Sequence, residues 1–274
     1  MSNPIESSET SSLKGKSAIV TAGSRGIGRG IAIHFARKGL ANLAITYHSN
    51  KTEAEKTLSK CRELGVNAIA IQADAMDPAI GPKILKDALG GLNVTTIDIL
   101  VNNAALSDIS RVADVNNMQA EHFNEIMVAN AYTPVSLMVA FMEHAPKHGG
   151  RVINISSLVS KLGNSDPMIT YGATKAALDS FTRSFANTFS TATGITFNSL
   201  AVGPVETDAF AMVNELIPGF HDMQIEMTSA ADRVGNVEDI AYIVGFLASE
   251  EGRWVNGASV SANGGYKQVL ALFG

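Results

Sequence analysis

The sequence has almost no cysteine and no excess of basic charge, and both absences exclude classes of protein. Cys61 is the one cysteine in 274 residues, so no intramolecular disulfide can form and a cysteine-rich metal site is excluded. The six histidines lack the spacing of a metal-binding motif, so we expect no metal centre. Asp and Glu outnumber Lys and Arg by 26 to 21, and without a basic run we expect no nucleic-acid partner.

Long hydrophobic runs and a secretory signal are also missing. No apolar run reaches the ~18 residues of a membrane span, so we expect no membrane partner. The first residues, MSNPIESSETSSLKGK, are polar and rich in serine, and they do not combine a basic start with an apolar core. We predict a disordered tail over residues 1–14. Together with the single cysteine, this pattern favours a reducing, cytoplasmic location.

What is present is an alternation of short apolar runs and longer helical patterns over residues 15–274. SAIVTA (17–22), RVINISS (151–157) and ITFNSLAV (195–202) are continuous apolar runs, as expected of strands covered by helices on both faces. Alternation with short turns predicts right-handed crossovers and a parallel sheet. The fold class is therefore α/β, one doubly wound domain, whose ligand should lie beyond the carboxyl ends of the strands.

A glycine-rich turn follows the first predicted strand. In TAGSRGIGRG, residues 21–30, Gly23, Gly26 and Gly28 allow a tight turn and a close approach of the backbone to a pyrophosphate. The next helix would present free N–H groups and the positive end of its dipole to that anion. Between a strand and a helix of the first βαβ unit, this turn predicts a dinucleotide site; the alternative is a packing turn without a ligand.

The end of the second strand predicts which dinucleotide binds. An Asp or Glu about 20 residues beyond the glycines usually holds a ribose 2′-hydroxyl, but this region reads TYHSNK and the first acid after it is Glu53. Arg25 and Lys51 can supply positive charge, and Ser49 can donate a hydrogen bond. We therefore expect NADPH/NADP+; the alternative is that Arg25 is merely a solvated turn residue.

The run ITYGATKAALDS, residues 169–180, places Tyr171 four residues before Lys175. Good helix formers surround both residues, and positions i and i+4 share one helix face. A nearby ammonium lowers the pKa of a phenol, which would make Tyr171 a general acid or base. The alternative is two unrelated residues on a half-exposed helix.

The motifs TAGSRGIG, LVNNAA, VAN, NISS and YGATK, in this order, resemble the short-chain dehydrogenase/reductase family over about residues 15–266. The resemblance implies a Rossmann-type sheet of about seven strands, a nicotinamide cofactor and a catalytic tetrad of Asn130, Ser157, Tyr171 and Lys175. Ser157 is preferred to Ser156 because the second serine of NISS usually has the role. The family also implies a homodimer or homotetramer formed through residues 120–144 and 170–190.

The resemblance also assigns the cofactor contacts. Asp74 matches the acid that binds the adenine amino group, Asn102 and Ala104 lie beside the adenosine ribose, and Val205 and Thr207 hold the nicotinamide carboxamide. The full expected set is Gly23, Ser24, Arg25, Gly26, Ile27, Gly28, Tyr47, His48, Ser49, Asp74, Asn102, Ala104, Tyr171, Lys175, Gly203, Val205 and Thr207.

The sequence departs from the family pattern at three backbone positions. They are Ala22, Ala105 and Val202, where Gly, Gly and Pro are usual. The stretch TYHSNKTEAEK is further similar to NADPH-dependent reductases of fungal secondary metabolism.

Two further expectations follow. Asn130 lies within a helical pattern, where Asn is unfavourable; the resemblance implies a locally loosened helix that holds a water linking Lys175 to solvent, and the alternative is a polar contact between helices. Residues 203–232 read as irregular, and their apolar side chains at 207–227 predict a mobile substrate lid, with a dimer contact as the alternative.

We expect NADPH-dependent reduction of a ketone or aldehyde, with an apolar carbonyl compound as substrate and Tyr171 as proton donor. Three alternatives stay open: an NAD-dependent alcohol dehydrogenase, a nucleotide-binding protein without redox activity, and non-redox chemistry on a bound cofactor complex. An intact set of Tyr171 and Lys175 argues against the second.

Overall fold

A computed structural model of the chain describes residues 10–107 and 115–270. Seven parallel strands form one sheet in the order β3-β2-β1-β4-β5-β6-β7. The strands are β1 (Ser17–Val20), β2 (Asn42–Tyr47), β3 (Asn67–Gln72), β4 (Ile99–Asn102), β5 (Arg151–Ser157), β6 (Thr196–Val202) and β7 (Ser259–Ala262). The predicted doubly wound α/β fold is confirmed, and the order reverses between β1 and β4, where a ligand crevice is expected.

Helices cover both faces of this sheet. They are α1 (Gly26–Arg37), α2 (Lys51–Glu63), α3 (Ile80–Leu92), α4 (Ala120–Met127), α5 (Thr133–His144), α6 (Met168–Thr193), α7 (Asp208–Leu216), α8 (Phe220–Met227), α9 (Val237–Ala248) and the short α10 (Lys267–Leu270). One apolar core lies under α1, α2 and α9, and a second lies under α3, α5 and α6. Both faces of the central strands are therefore covered by packed apolar side chains, which explains the continuous apolar sequences of these strands.

The end of the predicted tail is ordered. Leu13 is fully buried, and Lys14 forms an antiparallel bridge with Leu40. The prediction of disorder through residue 14 is wrong for this last part, because the side chain of Leu13 completes the core beneath α1. Residues 1–9 lie outside the described residues.

The stretch Ala120–His144 is helical throughout but changes its winding in the middle. Val128–Tyr132 form a π-helical segment between α4 and α5. By length and composition this stretch could cross a membrane; its most apolar window has a mean hydropathy of 1.3, and 56% of that window is buried. It packs against α3, so it is a core helix of the domain.

The predicted irregular segment 203–232 contains regular structure. Two helices, α7 and α8, follow the exit of β6. Thr207 caps α7, because its hydroxyl accepts a hydrogen bond from the N–H of Phe210 at 3.2 Å, as N-cap residues do. The sequence prediction missed these helices because each spans only about two turns and neither carries a continuous apolar face into the core.

Candidate active site

Lys175 is fixed at the carboxyl end of β5. It lies on α6, is 2% exposed, and its Nζ donates a hydrogen bond of 2.9 Å to the carbonyl of Ile155. The same Nζ lies 5.7 Å from the centre of the Tyr171 ring. An ammonium has three donors, so two remain for other partners. The i, i+4 spacing does bring the two side chains together.

Burial governs the ionisation of both residues. It raises the pKa of Tyr171 to about 12, because the phenolate is poorly solvated there. Burial also lowers the pKa of Lys175 to about 8, against the charge of Asp179, which raises it. The net shift of the Tyr171 pKa is therefore upward, opposite to the decrease expected from the neighbouring ammonium, because burial outweighs that charge. At neutral pH the pair consists of a neutral phenol and an ammonium.

Asn130 connects the loop after β4 to α6. It is fully buried in the π-helical segment, whose widened turn fits the predicted local loosening. Its Oδ1 accepts from the N–H of Leu106 at 2.7 Å, and its Nδ2 donates to the carbonyl of Leu106 at 3.0 Å and to the Thr174 hydroxyl at 3.2 Å. Thr174 donates in turn to the carbonyl of Tyr171 at 2.7 Å. This network positions α6; Leu106 and Thr174 were not predicted.

The two candidate serines at the end of β5 differ in exposure. Ser157 is half-buried, and its Oγ accepts a hydrogen bond of 3.4 Å from the N–H of Val159. Ser156 is 3% exposed and its Oγ is buried. Ser157 pairs in register with Val202 of β6, beside the predicted nicotinamide turn. Its hydroxyl can therefore reach a ligand at the edge of the sheet, which supports the choice of Ser157.

The glycine turn is shaped for a close backbone approach. A Cβ on Gly28 would lie 2.3 Å from the carbonyl oxygen of Ala22, and one on Gly23 would lie 2.7 Å from Ile45. Ala22 itself adopts φ 50°, in the left-handed region, where a side chain is strained. No side chain caps the start of α1, so its first N–H groups are available to an anion. These features fit the pyrophosphate of a dinucleotide.

Two residues that the sequence reading did not select hold this turn in place. The Thr21 hydroxyl accepts from the N–H of Asn103 at 2.8 Å and of Ala104 at 2.9 Å. The Asn103 side chain donates to the carbonyls of Thr21 at 3.0 Å and Ala22 at 3.3 Å. The signal was present in the doubled asparagine of LVNNAA. The side-chain amide of Asn102, which was predicted to lie beside the ribose, donates a hydrogen bond of 2.8 Å to Asn154 Oδ1.

The two arginines near the glycine turn have different roles. Arg25 is exposed, and its guanidinium has no carboxylate partner among the residues described. Arg29 is bound on several sides: it donates to the Ser24 carbonyl and to the Thr57 hydroxyl, and pairs with Glu53. Hydrogen bonds from Lys56 and then Arg29 lower the pKa of Glu53 to about 2. Glu53 is thus paired with Arg29 and Lys56, and Arg25 is not among its ion-pair partners.

The predicted adenine side of the crevice lies at the ends of β2, β3 and β4. His48 Nε2 lies 3.9 Å from Asp74 Oδ2, and Asp74 Oδ1 accepts from the N–H of Met76 at 2.9 Å. A small cavity beside them, of about 30 Å³, includes Thr46, Asn102 and Ala104 in its wall. Tyr47 is half-buried, whereas His48 and Ser49 are exposed. Within the described ranges, no three His, Cys, Asp or Glu side chains come together as a metal site.

The predicted nicotinamide turn meets the glycine turn. A Cβ on Gly26 would lie 3.5 Å from Thr207 Cγ2, so the two turns border one groove. A Cβ on Gly203 would lie 2.8 Å from the Cα of Asn263, which explains why glycine stands there. Val205 is 5% exposed. The structure therefore brings the predicted phosphate and carboxamide contacts to one edge of the sheet.

Of the two helices over this edge, α7 is loosely packed, whereas α8 buries Gln224. No residue of α7 is buried, and Met212 and Leu216 are 60% and 66% exposed. The ring of Phe210 contacts Phe220 at 5.4 Å between centroids. His221 Nε2 lies 2.9 Å from Glu206 Oε1, and this hydrogen bond raises the pKa of His221. The pair ties the start of α8 to the exit of β6.

Comparisons with known proteins agree with this geometry. The family model described as enoyl-(acyl carrier protein) reductase matches residues 21–267. The short chain dehydrogenase asqE of Emericella nidulans is 56% identical over 261 residues, covering 94% of this chain and 96% of that protein. The short chain dehydrogenase penD of Penicillium thymicola is 54% identical, covering 94% of both chains.

Solved structures show the same architecture. A short chain dehydrogenase from Burkholderia cenocepacia J2315, in complex with NADP, matches with a TM-score of 0.82 and 31% identity, over 93% of this chain and 98% of that chain. The promiscuous reductase LugOII, which catalyses keto-reduction at C1 during lugdunomycin biosynthesis, matches with a TM-score of 0.83 and 34% identity, over 94% of this chain and 99% of that chain.

Proposed function

Because the chain belongs to the short-chain dehydrogenase/reductase family, we propose that it reduces a ketone or aldehyde with NADPH and that Tyr171 donates the proton. One observation carries the proposal. Tyr171 and Lys175 lie together at the carboxyl edge of the sheet, and the raised pKa of Tyr171 keeps its phenol protonated at neutral pH. A neutral phenol next to an ammonium is a general acid, as carbonyl reduction requires.

The roles of the four residues follow from where charge develops. When bound, NADPH would supply the hydride, and negative charge would then develop on the carbonyl oxygen. The Tyr171 hydroxyl gives its proton to that oxygen, and Ser157 donates a hydrogen bond to it. Lys175 stabilises the resulting phenolate, and Asn130 holds α6 through Thr174. The family further implies that Lys175 binds the nicotinamide ribose. It also implies that a water near Asn130 helps to return a proton to Tyr171 after each turnover.

The cofactor preference rests on charge at the glycine turn. Arg25 is exposed at the start of α1, and no carboxylate follows β2 before Glu53, which is already paired with Arg29. A 2′-phosphate would therefore meet a free guanidinium instead of a carboxylate. The complex of the Burkholderia relative with NADP supports this choice.

The substrate class is an apolar carbonyl compound. The exposed Met212 and Leu216 of α7 supply an apolar surface over the exit of β6, and we assign residues 203–232 as the substrate lid. The keto-reduction by LugOII supports a ketone.

Exposed apolar side chains on the two long helices support contact between subunits, as a homodimer or homotetramer. They are Tyr132, Val139 and Phe181.

A cofactor-oxidation screen tests the function. NADPH absorbance is followed with small ketones, quinones, aromatic polyketides and acyl thioesters. The same panel is repeated with NADH, and the corresponding alcohols are tested with NADP+ and with NAD+. We expect turnover with an apolar ketone and NADPH. Turnover of alcohols with NAD+ alone would favour the NAD-dependent dehydrogenase. Tight NADPH binding without turnover of any carbonyl or alcohol would favour a nucleotide-binding protein.

A further inference from the structure

Asp179 is a buried carboxylate that the reaction described above does not use. It follows Lys175 on α6 by the same four-residue step that separates Lys175 from Tyr171, so all three lie along one face of the helix. Each step advances slightly more than one turn, or about 6 Å along the helix axis. Asp179 is only 5% exposed. A carboxylate at such a position is rare unless a cation or donors compensate it.

The hydrogen bonds of Asp179 leave one of its oxygens unused. Its Oδ2 accepts a hydrogen bond of 2.7 Å from the hydroxyl of Ser160, which fixes the carboxylate against the segment after β5. Its Oδ1 is buried and has no hydrogen-bond partner in the described part of the chain. Because a buried anion with an unused oxygen is costly, a function for its charge is indicated.

The charged and titratable groups around Lys175 are few. From α6 itself, Tyr171 and Asp179 face it. From β5 it meets the Ile155 carbonyl. In the π-helical segment, the uncharged amide of Asn130 binds Thr174, the residue before Lys175. From the segment Leu158–Lys161, the one cation is Lys161, whose Nζ donates to the Ser259 carbonyl at 3.4 Å. Asp179 is the carboxylate whose charge favours the Lys175 ammonium, against burial.

We infer that Asp179 is a positioning residue of this site: its carboxylate, held by Ser160, keeps Lys175 in the ammonium form that stabilises the Tyr171 phenolate. The inference rests on the proposed function, because it acts through the Tyr171–Lys175 pair. It adds a fifth residue that touches no reacting atom and sets the upper limit of the pH range in which the pair works. The effect of Asp179 on Lys175 does not depend on the lid or on the cofactor groove.

The test is the pH profile of kcat/KM for the ketone found in the screen. Lys175 has a pKa of about 8, so wild-type activity should fall as the pH rises through that value. Asp179→Asn keeps the shape of the side chain but removes its charge. The alkaline limb should then move to lower pH by about one unit, the scale of a single neighbouring charge, with activity nearly unchanged below pH 6. Asp179→Glu, which keeps the charge, should keep the limb near its wild-type position.

Controls separate the possible failures. Asp87→Asn removes the same charge from a surface pair with Lys83 on α3 and should leave the profile unchanged. Thermal unfolding checks that each variant is folded; if Asp179→Asn is not, Asp179→Ser removes the charge with a smaller side chain and is measured in its place. If the folded Asp179 variant has its alkaline limb of kcat/KM at the wild-type pH, the inference is overturned. Tyr171→Phe in the same assay tests the proposed function separately, since its full activity would overturn that function whatever Asp179 does.

Discussion

Helix α6, which carries the proposed proton donor, and the helical pair α7–α8 follow neighbouring strands and border the same edge of the sheet, yet they are held in opposite ways. In α6, Lys175 is 2% exposed and is bonded to β5, and Asn130 links the helix to the loop after β4. In α7 no residue is buried, and Leu216 is 66% exposed. The first region is tied to the core through several buried hydrogen bonds, whereas the second is anchored mainly through α8, where the buried Gln224 accepts a hydrogen bond of 3.0 Å from the Tyr266 hydroxyl.

This difference separates chemistry from substrate choice. Proton transfer needs donor and acceptor at a fixed distance, so the residues proposed to carry it are anchored to the sheet. A substrate has to enter and leave, and the surface proposed to cover it includes α7, none of whose residues is buried, as expected of a segment that opens locally. Damage to the first region should abolish turnover, whereas damage to the second should change binding and dynamics.

The largest effect should come from Lys175→Ala. The substitution removes the charge that stabilises the phenolate and also the proposed contact with the nicotinamide ribose. We expect kcat/KM to fall by at least ~10²-fold and the affinity for NADPH to fall as well. Steady-state kinetics and fluorescence titration measure the two effects. Lys175→Met, which keeps most of the buried stem, should behave in the same way; near-wild-type turnover in Lys175→Met would show that the ammonium is dispensable.

The preference for NADPH over NADH should be at least tenfold in Kd. A factor of ten is about 1.4 kcal/mol, within reach of one or two charge-assisted hydrogen bonds from Arg25. Arg25→Ala should remove most of the preference and barely alter the affinity for NADH. Arg37→Ala deletes an exposed arginine from the other end of α1 and should leave the preference intact. Equal or tighter binding of NADH to the wild type contradicts this assignment.

Hydrogen exchange should distinguish the two regions directly. Amides of 207–227 should exchange fast in the free protein and slow by roughly fivefold, or ~1 kcal/mol, on adding NADPH and ketone, whereas those at the centre of α6 should be slow throughout. Glu206→Gln weakens the pair with His221 and should speed exchange in α8 of the free protein. Unchanged exchange at 207–227 on ligand binding would support a fixed subunit contact instead of a lid.

The smallest effect should come from Ala22→Gly in the glycine turn. Ala22 has φ 50°, a conformation that costs an L-residue about 1–2 kcal/mol, while the added flexibility of glycine in the unfolded chain costs about 0.4–1 kcal/mol. The free energy of unfolding should therefore rise by about 0.5–1 kcal/mol in urea denaturation. Asn93→Gly, at φ 57°, should gain less because asparagine tolerates this region. A loss of stability in Ala22→Gly would show that the Ala22 methyl packs favourably.

The anchored region was predictable from the sequence and the loose region was not. Tyr171, Lys175 and Gly28 act through local spacing, which the sequence displays directly. The roles of Asn103, Arg29 and Asp179 depend on contacts across the fold, such as the bond of Asp179 to Ser160, which no local pattern encodes. Periodicity also misses helices as short as α7 and α8. The direction of the Tyr171 pKa shift was predicted wrongly, because residue spacing shows the neighbouring charge but does not show how deeply the side chain is buried.

The most direct test of the account is Tyr171→Phe, with turnover and NADPH affinity measured on the same preparation. The variant keeps the ring and its packing and removes only the hydroxyl that donates the proton. We expect carbonyl reduction to fall by at least ~10²-fold while the Kd of NADPH stays within about twofold, a change of ~0.4 kcal/mol. Near-full reduction by Tyr171→Phe would contradict the account, because the Tyr171–Lys175 pair would then be structural and a different group would have to supply the proton.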